Sequence, residues 1–139
     1  MADDQLRVGE AGMEPTAEGL RPIGEGWFVV NVAELAARRN DLMGITCSPE
    51  PEDARFPEFG FNLRVLEPGQ FNARYHREND QEAFLVLSGE CRLIVEGEGF
   101  PVDAVAARYG ASVAEPTGDP QVAYADVPHS EPARLPWPP

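Results

Sequence analysis

The chain has 139 residues, enough for one modest domain, and 42% of them are hydrophobic, enough to build a core. Its net charge is -13, from 11 basic and 24 acidic side chains, which disfavours nucleic acid and anionic membranes as partners. The sequence has no apolar run of membrane-spanning length, no signal-peptide pattern at its start, and only two cysteines. These features predict a cytoplasmic protein that binds neither nucleic acid nor membranes.

The N-terminal third combines an irregular start with short predicted elements. Residues 1–25 are rich in glycine and acidic residues and show no apolar period, so we expect a flexible acidic arm. Residues 26–125 are expected to form the folded domain. Within it, residues 27–30 are typical of a short strand, and residues 32–39 predict a short helix that begins after Asn31.

The middle of the chain has the pattern of a β protein. Apolar and polar residues alternate over residues 61–66 and again over residues 71–75, with a turn predicted at Pro68-Gly69 between them. Residues 83–87 and 91–95 are apolar runs that predict two further strands joined by a glycine turn. Short strands at this spacing indicate an all-β antiparallel sandwich or barrel.

The C-terminal part loses this pattern. Residues 103–109 predict a short helix that ends at Gly110, a residue type that suits the left-handed conformation after a helix. Residues 126–139 contain five prolines and are expected to form an irregular tail.

The strongest candidate site lies between two of the predicted strands. His76 and Glu78 are two residues apart and therefore project from one face of an extended chain, and Glu82 can fold back opposite them. One imidazole and two carboxylates suit a divalent ion such as manganese, iron, nickel or zinc. The same polar run also fits a solvated surface turn, and both interpretations stay open on the residues alone.

This window also resembles a known family. Gly69, then His76, Glu82 and Gly89, resemble the first conserved motif of the cupin superfamily, with Glu78 at the position of the motif's second histidine. The resemblance covers residues 26–99. It implies a jelly-roll barrel in which His76, Glu78 and Glu82 bind the metal, and a homodimer formed by strand pairing.

The second cupin motif supplies a further histidine ligand, and here it is degenerate or missing. Gly110, Pro116 and Gly118 fit its spacing, but Gln121 stands at the histidine position and Ala125 at the asparagine position. Either residues 105–125 are a degenerate motif, or the strands that carry it are deleted. We favour deletion, because residues 102–109 predict a helix and few strands remain.

Together these observations predict a cupin-like, incomplete barrel with short flanking helices and irregular termini. The expected function is a divalent-metal site, with the metal weakly bound or absent, that takes a small polar molecule. The alternatives are a non-catalytic binding or dimerisation module and a truncated cupin without activity. The sequence does not decide whether the protein is an enzyme.

Overall fold

The computed structural model describes residues 9–56, 58–77, 81–95, 101–114, 117 and 119–138. Within these ranges the chain forms two antiparallel sheets, two α-helices and one short 3₁₀ helix, so the fold is mainly β. The chain divides into two compact units. Unit 1 contains the described residues up to Gln70 together with Pro128–Pro138, and unit 2 contains those from Phe71 to Val127.

Unit 1 begins with a hairpin of β1 (Gly12–Thr16) and β2 (Gly19–Ile23). The Thr16 hydroxyl closes its turn, donating to the carbonyl of Gly19 at 2.8 Å and accepting from the amide of Glu18 at 3.1 Å. The prediction of an irregular arm is therefore wrong for this segment. The two strands were not predicted because they contain prolines and glycines, and both residue types weaken the alternating pattern from which strands are predicted.

The larger sheet of unit 1 has four strands in the order β5-β4-β3-β6, all antiparallel. These are β3 (Ala37–Asn40), β4 (Gly44–Cys47), β5 (Leu63–Val65) and β6 (Glu131–Ala133). β5 confirms the strand predicted from the alternation at residues 61–66. The predicted turn at Pro68-Gly69 is also present, closed by a 3.0 Å hydrogen bond from the amide of Gln70 to the carbonyl of Glu67.

The core of unit 1 lies against this sheet. Its buried members come from the chain before β3, from β3 and β4 themselves, and from the chain after β6: Leu35, Ala37, Cys47 and Leu135. Half-buried aliphatic residues pack around them, namely Val30, Val32, Ile45, Leu63 and Val65. The core thus joins segments from both ends of the chain.

The predicted helix over residues 32–39 is wrong beyond its first turn. A 3₁₀ helix covers Val32–Glu34, and the Asn31 side chain caps it by accepting from the amide of Ala33 at 3.0 Å. The chain then becomes extended at Leu35 and continues into β3. Pairing of β3 with strands on both sides overrides the local helix preference of these residues.

The predicted irregular tail is also wrong in part, because β6 lies within it. Ala133 pairs with Ala37, and Pro132 pairs with Arg38. The partner strand lies more than ninety residues earlier in the sequence, so local sequence carries no sign of this pairing. The guanidinium of Arg38 strengthens the contact by donating to the carbonyl of Ser130 at 2.6 Å.

Two other predicted strands do not form. Trp27 makes an isolated bridge with Glu10, but residues 28–30 have no regular structure. Residues 71–74 are likewise irregular, and only Tyr75 forms a bridge, with Val113.

Unit 2 contains both α-helices. α1 covers Val102–Tyr109 and ends at Gly110, which has the left-handed φ of 65°. This confirms the predicted helix and its glycine stop. α2 is a single turn, Pro120–Ala123, and the Asp119 carboxylate caps it by accepting from the amide of Gln121 at 2.9 Å.

Candidate functional site

The backbone just before His76 is fixed by pairing within unit 2. The Tyr75 amide donates to the carbonyl of Ser112 at 2.8 Å, and the Tyr75 carbonyl accepts from the amide of Ala114 at 3.2 Å. Together these bonds form a short parallel bridge opposite Val113. The candidate ligand therefore follows a residue whose backbone donor and acceptor are both bonded to another part of the chain.

The side chain of Arg74 connects the same segment to another part of unit 2. Its guanidinium donates to both carboxylate oxygens of Asp126, at 2.6 and 2.7 Å, and to the carbonyl of Ala123 at 3.2 Å. It also lies 5.7 Å from the centre of the Tyr124 ring, within the range of a cation–π contact. The end of α2 and the turn after it are thus tied to the residue two positions before His76.

This contact changes the acidity of Asp126. The hydrogen bonds from Arg74, aided by the positive charge of the guanidinium, hold the pKa of the Asp126 carboxyl below its ordinary value. The two partners differ in exposure, since the Arg74 side chain is 12% exposed and that of Asp126 is 72% exposed. Solvent therefore screens the carboxylate end of the pair.

The imidazole of His76 is oriented by its own backbone neighbour. Its Nδ1 lies 2.6 Å from the carbonyl oxygen of Arg74, and since a carbonyl only accepts, Nδ1 is the donor. In the neutral ring this places the lone pair on Nε2. Metal-binding histidines characteristically donate one ring nitrogen to a carbonyl or carboxylate in this way.

The remaining predicted ligands are less well defined. Glu82 is exposed, and Glu78 lies outside the described residues. Among the residues that the structure describes, no group of three or more histidine, cysteine, aspartate or glutamate side chains is arranged to hold a metal ion. Because the expected set includes Glu78, the metal site remains a prediction.

The two segments predicted as strands after Glu82 are irregular, and all their residues except the half-buried Ile94 are exposed. Residues 83–87 and 91–95 are described throughout and contain no strand, so both strand predictions are wrong for the single chain. The expected bend between them is present at Ser88 and Gly89, where Gly89 has a φ of 76°. Leu85 is 83% exposed and Val95 is 71% exposed, a high exposure for large aliphatic residues.

The region compared with the second cupin motif supplies one candidate ligand within the described residues. Gln121 lies in α2 and is exposed, while Pro116 and Gly118 are outside the described ranges. Deletion of this motif, favoured over a degenerate motif, stays a prediction.

A separate apolar cleft of about 310 Å³ lies in unit 1. Its lining consists of aromatic, aliphatic and proline side chains: Phe28, Val29, Val30, Val32, Leu35, Pro49, Phe61 and Leu63. A lining without ionisable groups offers no ligands to a metal ion. The cleft is therefore not a candidate metal centre.

The contacts of Arg74 were not predictable from the sequence. Its partner Asp126 is 52 positions away, and neither residue belongs to a motif. Only the folded chain brings them together.

Comparison with known proteins finds no matching family model, no matching curated protein and no matching solved structure. Within the described part of the chain, no helix has the length and apolar character needed to cross a membrane.

Proposed function

We propose that the chain is a cupin-type protein in which His76, Glu78 and Glu82 bind a divalent metal that holds a small polar molecule. The observation that carries this proposal is the hydrogen bond from His76 Nδ1 to the Arg74 carbonyl, an arrangement characteristic of metal-binding histidines. Glu78 and Glu82 follow His76 closely in the sequence and would supply two carboxylate ligands. Manganese, iron, nickel and zinc all suit such a set.

A divalent metal ion at this site would act as an electrophile. A divalent ion polarises a carbonyl or hydroxyl of a bound molecule, and three protein ligands leave positions open for it. The proposal is one of binding and does not include turnover. A cytoplasmic setting belongs to the same proposal, supported by two cysteines that are both free thiols.

Metal analysis of protein purified without chelator tests the proposal, followed by titration with Mn²⁺ and Zn²⁺. We expect stoichiometric binding that His76→Gln and Glu82→Gln each weaken strongly. The matched controls are His129→Gln, which removes the only other histidine, and Glu90→Gln, which removes an exposed carboxylate outside the set. Sub-stoichiometric metal that is unchanged in Glu82→Gln would contradict the proposal.

A second candidate function is a dimerisation module, and the exposure of residues 83–95 favours it. Phe84, Leu85, Leu87 and Val95 are each more than half exposed in the single chain. Large exposed apolar patches mark interaction sites, and strand-forming residues outside a sheet can pair with a strand of another chain. A second copy of the chain would pair these segments and complete the jelly-roll sheets that the cupin resemblance implies.

Sedimentation velocity over a range of concentrations tests the dimer. We expect a dimer in the unmodified chain and a monomer for Leu85→Lys. Val29→Lys is the matched control, because Val29 is also 83% exposed but lies in unit 1. A monomer at every concentration, or equal effects of the two substitutions, would exclude pairing through this segment.

A further inference from the structure

We propose that the apolar cleft of unit 1 binds a small hydrophobic amine, with the apolar group inside the cleft and the ammonium beside the carboxylate of Glu50. The cleft shares no residue with the proposed metal site, so this proposal is independent of it. Its volume of about 310 Å³ lies at the lower end of the range for small-molecule pockets. A dry apolar cavity of about 150 Å³ takes up benzene, so this cleft has room for a ring with a short chain.

The inner end and the walls of the cleft are well supported. Leu35 is 2% exposed and belongs to the core of unit 1. Phe28 stacks on Phe56 with the ring centres 6.5 Å apart, and Phe61 packs on Phe59 with the ring centres 5.8 Å apart. Each ring that lines the cleft is thus held by a second ring outside the lining. A pocket formed in this way before binding needs little ordering when a ligand enters.

The charged side chains beside the cleft favour a cationic ligand. Those adjacent in sequence to its lining are Glu34, Glu50 and Arg64. Arg64 follows the lining residue Leu63 in β5, and the alternation of side chains along a strand places it on the opposite face of the sheet. That leaves two carboxylates and no cation next to the cleft among these neighbours. An ammonium is therefore attracted to this part of unit 1, and a carboxylate is repelled.

Glu50 is the better placed of the two carboxylates. It directly follows Pro49, which lines the cleft, and a Cβ placed on Gly60 would meet Glu50 Oε1. The carboxylate thus lies against Gly60, the residue before Phe61 in the lining. Glu50 is half-buried, and its carboxylate has no hydrogen-bond or ion-pair partner among the residues that the structure describes. An ammonium at this position would supply a charge-assisted hydrogen bond.

The experiment uses three probes that share a phenylbutyl group and differ in charge: phenylbutylamine, phenylbutanol and phenylbutyrate. Each is titrated into the ¹⁵N-labelled full chain at neutral pH, and the amide chemical shifts report both the site and the Kd. Phe61→Ala removes one aromatic wall of the cleft. Glu50→Gln removes the charge beside it, and Glu58→Gln is the matched control, since Glu58 is an exposed carboxylate outside the lining.

We expect the amine to shift the amides of residues 28–35 and 61–63 and to bind about fivefold more tightly than the alcohol, as for a strong ion pair near the surface. The acid should bind more weakly than the alcohol. Glu50→Gln should lower the affinity for the amine to that for the alcohol, whereas Glu58→Gln should keep the preference. Phe61→Ala should weaken binding of the amine and the alcohol alike, by about tenfold.

An absence of saturable shifts with the amine, or shifts confined to other residues, would overturn the site. Equal affinities for the amine and the alcohol, or equal effects of the two glutamate substitutions, would overturn the assignment of an amine. Spectra without probe verify that each variant is folded. Should Phe61→Ala not fold, Val29→Trp replaces it, since Val29 is 83% exposed and a large ring there would obstruct the mouth of the cleft and weaken both probes.

Discussion

Arg74 and Asp126 are joined by two hydrogen bonds of 2.6 and 2.7 Å across 52 positions of the chain. The pair links the segment before His76 to the turn after α2. Because Asp126 is largely exposed, its contribution to the free energy of unfolding is modest, as for most ion pairs open to solvent.

The same pair predicts how stability depends on pH. Arg74 lowers the pKa of Asp126 in the folded state, so the folded protein binds a proton there less readily than the unfolded chain. The stabilisation is complete above the unfolded value of about 3.9 and is lost as pH falls through the lower, folded value. Asp126→Asn should therefore lower the melting temperature at neutral pH and converge with the unmodified chain in acid.

Thermal unfolding monitored by circular dichroism between neutral and strongly acidic pH provides the measurement. Glu25→Gln is the control, because it removes an equal charge from an exposed position in unit 1 of a strongly acidic chain. A melting-temperature difference between Asp126→Asn and Glu25→Gln that stays constant over the whole pH range would contradict the assignment.

Features set by neighbouring residues were predictable from the sequence. The helix that stops at Gly110 and the turn at Pro68-Gly69 depend on backbone preferences within a few residues. β5 follows from alternation at residues 61–66. The mainly β class was predicted correctly, although three of the four segments that predicted it, residues 71–75, 83–87 and 91–95, form no strand. Local signals suffice where the structure itself is local.

Features set by distant partners were not predictable. Arg38 and Arg39 lie in a stretch that favours a helix, yet their backbone pairs with β4 on one side and β6 on the other. The converse holds at residues 83–87, where strand-forming residues have no pairing partner in the single chain. A strand requires a neighbour as well as a composition.

The candidate site also has features that were predictable from the sequence and features that were not. Residue chemistry and spacing single out His76, Glu78 and Glu82, since few side chains bind divalent metals. The anchoring by Arg74 could not be predicted, because the guanidinium meets Ala123 and Asp126 only after folding.

The residues that follow β6 are expected to be part of the core of unit 1. Leu135 is 4% exposed and packs with Leu35, Ala37 and Cys47. Leu135→Ala removes buried methyl groups and should lower the free energy of unfolding by about 2 kcal/mol, at the low end for leucine because this core is small. Urea denaturation measures the change.

The control for the core substitution is Val29→Ala, which truncates a side chain that is 83% exposed. Its effect should stay within about 0.5 kcal/mol. Equal effects of the two substitutions would show that residues after β6 do not belong to the core in solution.

Gly44 is expected to tolerate no side chain. Its φ is +67°, and a Cβ placed there would meet the Val65 carbonyl oxygen of the neighbouring strand β5. Gly44→Ala should therefore destabilise the protein by the cost of a left-handed alanine, about 1 kcal/mol, and by the clash in addition.

Gly24→Ala separates these two effects. Gly24 has a similar φ of +74°, but a Cβ there would meet nothing within 4 Å. Urea denaturation should show a larger loss of stability for Gly44→Ala than for Gly24→Ala. If the two losses match, the approach of β5 to Gly44 is looser than the structure indicates.

The two cysteines should differ in reactivity towards an alkylating reagent such as iodoacetamide. Cys47 is 1% exposed and packs in the core of unit 1, and its burial raises the pKa of the thiol, so both access and the thiolate fraction are low. Cys91 is exposed. Mass spectrometry should show one rapid modification per folded chain, located at Cys91, and a second only in denaturant.

In Cys91→Ser the rapid phase of alkylation should disappear, whereas Cys47→Ser should keep it. Rapid labelling of Cys47 in the folded protein would mean that the sheet formed by β3 and β4 opens readily, in conflict with the packing of Leu35 and Leu135 against it.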